Sequence, residues 1–205
     1  EVPFIFKPTF GHRGIVIFKG DFSDNITNVD SSYKKIGKFG VSGYGEKDKL
    51  VAAKPLDPER KTRLSANTVN EFVRQSHEVL SRHPLNLERK KKYLLPANII
   101  IPRDAGVSLP VFSKRSNWAA ISSAPLEKGI LGLSGMRLLD FEYPKMKSHD
   151  VYEHLFNGLK ATIEHSIKEI ENNKFKKYFI NFKETDIAGK DGRAKEKKKM
   201  IELID

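Results

Sequence analysis

Four short stretches of the sequence carry side chains able to do chemistry. His12-Arg13 lies in a turn between Gly11 and Gly14, and Ser23-Asp24-Asn25 lies in a polar loop. Arg103 follows an apolar run in Pro102-Arg103-Asp104-Ala105-Gly106, and Asp186 opens Asp186-Ile187-Ala188-Gly189-Lys190. An arginine grips phosphate or carboxylate through two parallel hydrogen bonds, which suits Arg13 and Arg103 to an anionic substrate. A histidine carries a proton near neutral pH, which suits His12. A carboxylate beside a hydroxyl serves as general acid or base, which suits Asp24. Lys128 precedes Gly129 near the start of a short helix, a place that favours an anion. Asp186 is a hard oxygen donor of the kind divalent metals take.

Each of these has a plainer reading. Arg103 can form a surface ion pair with Asp104, His12 and Arg13 can be exposed turn residues, and Ser-Asp-Asn is a turn former. The remaining histidines, His77, His83, His149, His154 and His165, form no HxH or HExxH spacing. Ser23, Ser122 and Ser123 lack the GxSxG setting of a nucleophile elbow. There is no cysteine, which excludes a disulfide framework, a thiolate nucleophile and a Cys-ligated zinc site.

The elements that must position these groups alternate. Pro3 to Lys7 and Gly14 to Lys19 read as a hairpin, followed by an Asp/Asn/Ser/Gly-rich loop over 21–45. Thr62 to His83 is an amphipathic helix marked by Leu64, Val69, Phe72, Val73, Val79 and Leu80, and Pro84 ends it. Ala97 to Ile101, Trp118 to Ile121, Met136 to Tyr143 and Lys177 to Phe182 read as strands. Leu126 to Ser134 is a short helix closed by Gly135. A long helix runs from Asp150, its N-cap, to Asn172, and Arg193 onward is helical. Thr185 to Gly192 reads as a polar loop. This order predicts an α/β protein with parallel pairing, whose chemistry sits on loops at the carboxyl ends of strands. Three such loops are expected: Pro102 to Gly106, Ser122 to Ala124, and Glu184 to Gly192.

The chain has 205 residues, 39% hydrophobic and 31% charged, enough for a core. Lys and Arg number 37 against 26 Asp and Glu, a formal charge of +11. The charge gathers in Glu88-Arg89-Lys90-Lys91-Lys92 and Lys195-Glu196-Lys197-Lys198-Lys199, each with an acidic residue and neither with interleaved aromatics. Solvated helix surface explains them better than nucleic-acid binding. No apolar run approaches the roughly 20 residues of a membrane-spanning helix. The chain begins at Glu1 in a strand and stops at Asp205 in a helix, and so reads as a piece cut from a longer polypeptide.

Several motifs in order resemble the archaeal-type cofactor-independent phosphoglycerate mutases. They are Phe6-Lys7-Pro8-Thr9-Phe10-Gly11-His12-Arg13-Gly14 with Phe22-Ser23-Asp24-Asn25, then Asn70-Glu71-Phe72-Val73 with His77-Glu78-Val79-Leu80 and His83-Pro84. Pro96 to Gly106, Lys128-Gly129-Ile130 with Gly135-Met136, and Asp186-Ile187-Ala188-Gly189 continue the series. The resemblance implies an inserted α/β substrate-binding domain at 1–140 and part of an alkaline-phosphatase-like α/β metal core at 141–205. It implies interconversion of 3-phosphoglycerate and 2-phosphoglycerate through a phosphoserine and a pair of divalent metals, Mn or Mg, with Zn or Co as alternatives. On it, His12 and Asp24 are catalytic, Arg13, Arg103 and Lys128 bind substrate, and Asp186 binds metal. It also implies that the family's Leu-Asp-Gly motif and nucleophilic serine lie before Glu1, and its Asp-His pair after Asp205.

One loop departs from the pattern. Where the family loop reads Asp-x-x-Gly-His, this chain has Lys190, whose ammonium has no lone pair and repels a divalent cation. Two classes of function are therefore expected. The first is an isomerase whose partners are phosphoglycerate and the rest of its own polypeptide, cytoplasmic, with no membrane and no nucleic acid, this piece alone being inactive. The second is a mutase-like module without catalysis that binds a polyanion or a protein partner.

Overall fold

The protein is described by a computed structural model covering residues 2–9, 12–36, 39–42, 49–146, 150–172 and 174–205. Phe10, Gly11 and His149 of the sequence analysis, and part of the 21–45 loop, lie outside the described residues. The chain forms two compact units, Glu1–Phe6 with Val16–Leu109, and Lys7–Ile15 with Pro110–Asp205. Strands β1 (Phe4–Pro8) and β2 (Gly14–Phe18) form a two-stranded sheet. Lys19 N–H donates to Pro3 O at 2.9 Å and Thr9 N–H to Arg13 O at 3.0 Å, the constant register of an antiparallel hairpin.

The first unit is built on α1 (Arg60–Ser81), close to the expected span. Its buried stripe contributes Ala66 to a core with Ile26, Val29 and Ala53, against which Val69 and Val73 pack. Phe72 meets Phe4 and Phe18 edge-on at 5.4 and 5.5 Å. Asn70 locks the 50s loop to the helix: its Oδ1 accepts from Ala53 N–H at 2.8 Å and its Nδ2 donates to Ala53 O at 3.0 Å. Pro84 does more than end α1. It opens α2 (Pro84–Lys91), where a missing N–H costs nothing, and His83 Nδ1 caps Leu85 N–H at 3.3 Å.

Two expectations fail in this unit. A short antiparallel pair, β3 (Tyr33–Ile36) with β4 (Phe39–Ser42), stands inside the predicted loop. Conversely, Ala97 to Ile101 is not a strand. Side chains satisfy its backbone in place of a sheet: Asn86 accepts from Ala97 N–H at 2.8 Å and donates to Ala97 O at 3.1 Å, and His77 Nδ1 meets Asn98 O at 2.8 Å.

The second unit is organised by β5 (Trp118–Ser122), flanked in parallel by β6 (Arg137–Leu138) and β7 (Lys177–Asn181) in the order β6-β5-β7. Ala119, Ala120 and Ile121 are fully buried at its centre. The parallel pairing was legible in the sequence. The expected strand from Met136 to Tyr143 is shorter. Beyond Leu138 its side chains are drawn to helices, Asp140 to Lys128 and Tyr143 to Glu184.

Helix α3 (Pro125–Leu133) follows β5, and Gly135 closes it at φ +73°. In α4 (Val151–Glu171), Asp150 Oδ1 accepts from Tyr152 and Glu153 N–H at 2.9 and 3.1 Å, the expected cap. The predicted polar loop from Thr185 is instead a helix, α5 (Glu184–Lys190), joined to α6 (Ala194–Ile204) through Gly192 at φ +69°. Burial explains α5. Ala188 is fully enclosed against Leu155, Leu159 and Met200, with Phe182, Ile187 and Ile204 around them.

Candidate functional site

The second unit brings its polar groups to one edge. β5, β6 and β7 run parallel, so their carboxyl ends emerge on the same side of the sheet. From β5 the chain enters α3 with Glu127 and Lys128. From β6 it reaches Asp140, and from β7 it reaches Lys183, Glu184 and Asp186. Lys128 Nζ stands 2.6 Å from Asp140 Oδ1. Lys183 Nζ bridges Glu127 Oε1 at 3.2 Å and Asp186 Oδ2 at 3.0 Å, and Lys190 Nζ meets the same Asp186 oxygen at 3.0 Å. The Lys190 ammonium first, and then that of Lys183, holds the Asp186 carboxyl below the usual carboxylate range. The carboxylates of Asp186 and Glu127 hold Lys183 above the usual lysine value, against its partial desolvation.

Behind this edge lies a buried carboxylate. Glu184 is 1% exposed, and its Oε1 accepts from Tyr143 Oη at 2.8 Å, while Oε2 has no partner among the described residues. Burial, and then the neighbouring Glu184 charge, pushes the Tyr143 phenol up well beyond its ordinary value. Gly158 on α4 makes room for the phenol, since a Cβ there would fall 1.8 Å from Tyr143 Oη.

In the first unit Arg103 has its own nest. Its guanidinium lies 3.8 Å over the Tyr33 ring and 3.5 Å from each of Asp30 and Asp104. The backbone there is fixed by Val29 N–H donating to Pro102 O at 3.1 Å and by Asp104 N–H donating to Asn28 Oδ1 at 3.0 Å, with Asp104 at φ +58°. Asp24 sits half-buried in a pinned turn. Ser23 N–H donates to Ser65 Oγ at 2.8 Å, and Asn25 Nδ2 donates to Asp57 Oδ2 at 2.6 Å. His12 and Arg13 are exposed at the hairpin turn.

Of the residues named from sequence, Lys128 and Asp186 therefore share one strand-end edge, with Lys190 upon Asp186. Arg103 and Asp24 occupy separate loops of the first unit. The sequence reading missed Glu127, Asp140 and Lys183. The signal for them was a charged residue in the first turn after each strand.

The edge does not fit a divalent metal. Among the described residues, no group of three or more His, Asp or Glu side chains comes together to hold one. Each carboxylate of the edge is already met by an ammonium, Asp140 by Lys128, Glu127 by Lys183, and Asp186 by Lys183 and Lys190 on one oxygen. An ammonium donates three hydrogen bonds and has no lone pair to give.

Comparison with known proteins places the class first. Residues 131–205 match the model of the Metalloenzyme superfamily, a match that implies divalent-metal dependence for the proteins it describes. Residues 1–86 match the model described as 2,3-bisphosphoglycerate-independent phosphoglycerate mutase. Proteins of that name are similar over the whole chain. The one from Methanopyrus kandleri is 35% identical over 210 residues, covering 100% of this chain and 44% of that protein. The one from Methanosphaera stadtmanae is 31% identical over 210 residues, covering 100% and 47%. A solved cofactor-independent phosphoglycerate mutase from Thermoplasma acidophilum superposes with a TM-score of 0.47 at 22% identity, over 99% of this chain and 50% of that one, too loosely to carry residue roles across. Over its whole length the chain is thus similar to cofactor-independent phosphoglycerate mutases. It spans about half the length of the curated relatives it matches. No helix among the described residues is long and apolar enough to cross a membrane.

Proposed function

We propose that this chain is the substrate-holding portion of a cytoplasmic phosphoglycerate mutase, an isomerase that moves a phosphoryl group between the 3- and 2-hydroxyls of glycerate. The observation that carries it is the similarity of the whole chain, end to end, to mutases of that name. On this reading residues 1–140 are the inserted substrate-binding domain and 141–205 part of the phosphatase-like core. Arg103 and Arg13 grip the carboxylate and phosphate, and Lys128 adds positive charge at the strand-end edge. Asp24 and His12 move the hydroxyl proton. Tyr33 stacks on the face of the Arg103 guanidinium, so an anion would meet the in-plane donors, in exchange for Asp30 and Asp104. Mn or Mg is the metal for the whole protein, with Zn or Co as alternatives.

The test is titration of the chain with 3-phosphoglycerate by calorimetry, then conversion to 2-phosphoglycerate by the full-length polypeptide with Mn or Mg added. Saturable binding that weakens about tenfold to hundredfold in Arg103→Ala supports the reading, the range expected for losing a charge-assisted bidentate contact. Binding unchanged in both Arg103→Ala and Arg13→Ala overturns it.

A second reading, a mutase-like module without turnover that binds a polyanion, is favoured by the lysines on Asp186. It predicts no turnover in the full-length polypeptide, and heparin binding by the chain that falls steeply with salt.

A further inference from the structure

We propose that the cation at Asp186 is internal: the ammonium of Lys190, seconded by that of Lys183, occupies the carboxylate and closes the first turn of α5 to divalent metal ions. Both Nζ atoms lie 3.0 Å from the same oxygen, Oδ2. The spacing makes the tie local. Lys183 and Lys190 stand three residues before and four after Asp186, so the fold of α5 itself brings all three together. Lys183 divides its charge between Asp186 and Glu127, whereas Asp186 is the ion-pair partner of Lys190 among the described residues. Lys190 is therefore the group whose removal opens the carboxylate.

A divalent ion bound to Oδ2 would sit about 4–5 Å from both ammoniums, where two charges on one and one on the other repel even through water, costing roughly tenfold in affinity for each lysine. A neutral side chain in place of either lysine removes that term. The inference rests on the geometry of α5 and not on the mutase reading. If the full-length protein uses a divalent metal, residues other than the Asp186–Lys190 pair hold it.

Manganese titration of the isotope-labelled chain, read by paramagnetic broadening of the α5 amide resonances, tests this without reference to activity. Broadening of α5 is expected at a Mn²⁺ concentration about tenfold lower in Lys190→Gln than in wild type, and lower still in Lys183→Gln/Lys190→Gln. Adding Asp186→Asn to the double variant should restore the wild-type curve. Lys190 is 64% exposed, so the single variant keeps the fold, which the unchanged amide spectrum outside α5 verifies. Equal broadening of wild type and Lys190→Gln overturns the proposal, as does stoichiometric Mn²⁺ binding at α5 of the wild type. A parallel 3-phosphoglycerate titration separates the two readings, because the variants should bind that ligand no differently if only the metal locus has changed.

Discussion

The Arg103 guanidinium rests 3.8 Å over the Tyr33 ring, with Asp30 and Asp104 each 3.5 Å from it. Two carboxylates and a ring hold one cation, and an incoming phosphate or carboxylate would compete with the two carboxylates for it. A cation over the face of a ring, where water still reaches the pair, is worth about 0.5–1 kcal/mol. Tyr33→Leu should accordingly weaken 3-phosphoglycerate binding about twofold to fivefold, far less than Arg103→Ala, in the same calorimetric titration. An equal loss in both would mean that Tyr33 touches the ligand itself.

The face of α1 carries a pH-sensitive pair. Hydrogen bonds from Arg74, and then from Gln75, hold the Glu71 carboxyl down to about 2. A carboxyl lowered on folding stabilises the protein fully above its unfolded value of about 4.3 and loses that contribution as pH falls through the folded value. Arg74→Gln should therefore be slightly less stable than wild type near neutral pH and should converge with it as pH approaches about 2. A Glu71 carboxyl carbon titration in the variant should return to the ordinary range. No movement of that midpoint would mean that Arg74 does not set it.

Tyr143 and Gly158 form a packing pair whose disruption should be costly. Gly158→Ala places a methyl where Tyr143 Oη now lies, 1.8 Å from the new carbon. Forcing the phenol away also strips Glu184 of its hydrogen bond, so a loss of about 3 kcal/mol is expected in urea unfolding. Tyr143→Phe removes the hydroxyl alone and should cost about 1–3 kcal/mol, the penalty of a buried carboxylate without its donor.

Asp150 is the cap of α4, accepting two N–H donors. Asp150→Ala should destabilise the second unit by about 1 kcal/mol, and Asp150→Ser should recover most of it. Thermal unfolding followed by the Trp118 signal reads both.

What the sequence revealed and what it hid divide along a physical line. α4 was readable because its cap and apolar stripe are local, and β5 and β7 because short β-prone runs had helices between them. α5 was not, because its residues are mostly polar and its helicity is decided by Ala188 finding a pocket among α4 and α6. Ala97 to Ile101 misled for the opposite reason. An apolar run normally means a buried strand, yet Ile99 and Ile101 are 37% and 44% exposed, and side chains hold the backbone. The four-residue strands β3 and β4 are too short for periodicity to register. At the candidate site Lys128, Asp186 and Lys190 were visible as residues near strand ends. Their partners Asp140, Glu127 and Lys183 showed only as charged residues in the first turn after a strand, because the pairing of Lys128 with Asp140 and of Lys183 with Glu127 joins segments distant in sequence and leaves no pattern along the chain.

The buried side of α4 has an implication for how the chain tolerates change. Thr162 Oγ1 donates to Gly158 O at 2.9 Å and Ser166 Oγ donates to Thr162 O at 2.6 Å, so three small residues spaced by four are stitched along one line of the helix. Such a line holds its neighbours by having no bulk to spare. In a saturation library over α4, survivors should thin out at every fourth position from Gly158 to Ser166, for Leu as severely as for Lys, while the exposed positions between accept almost anything. Tolerance there would track side-chain volume and not polarity, the reverse of the rule for an ordinary core.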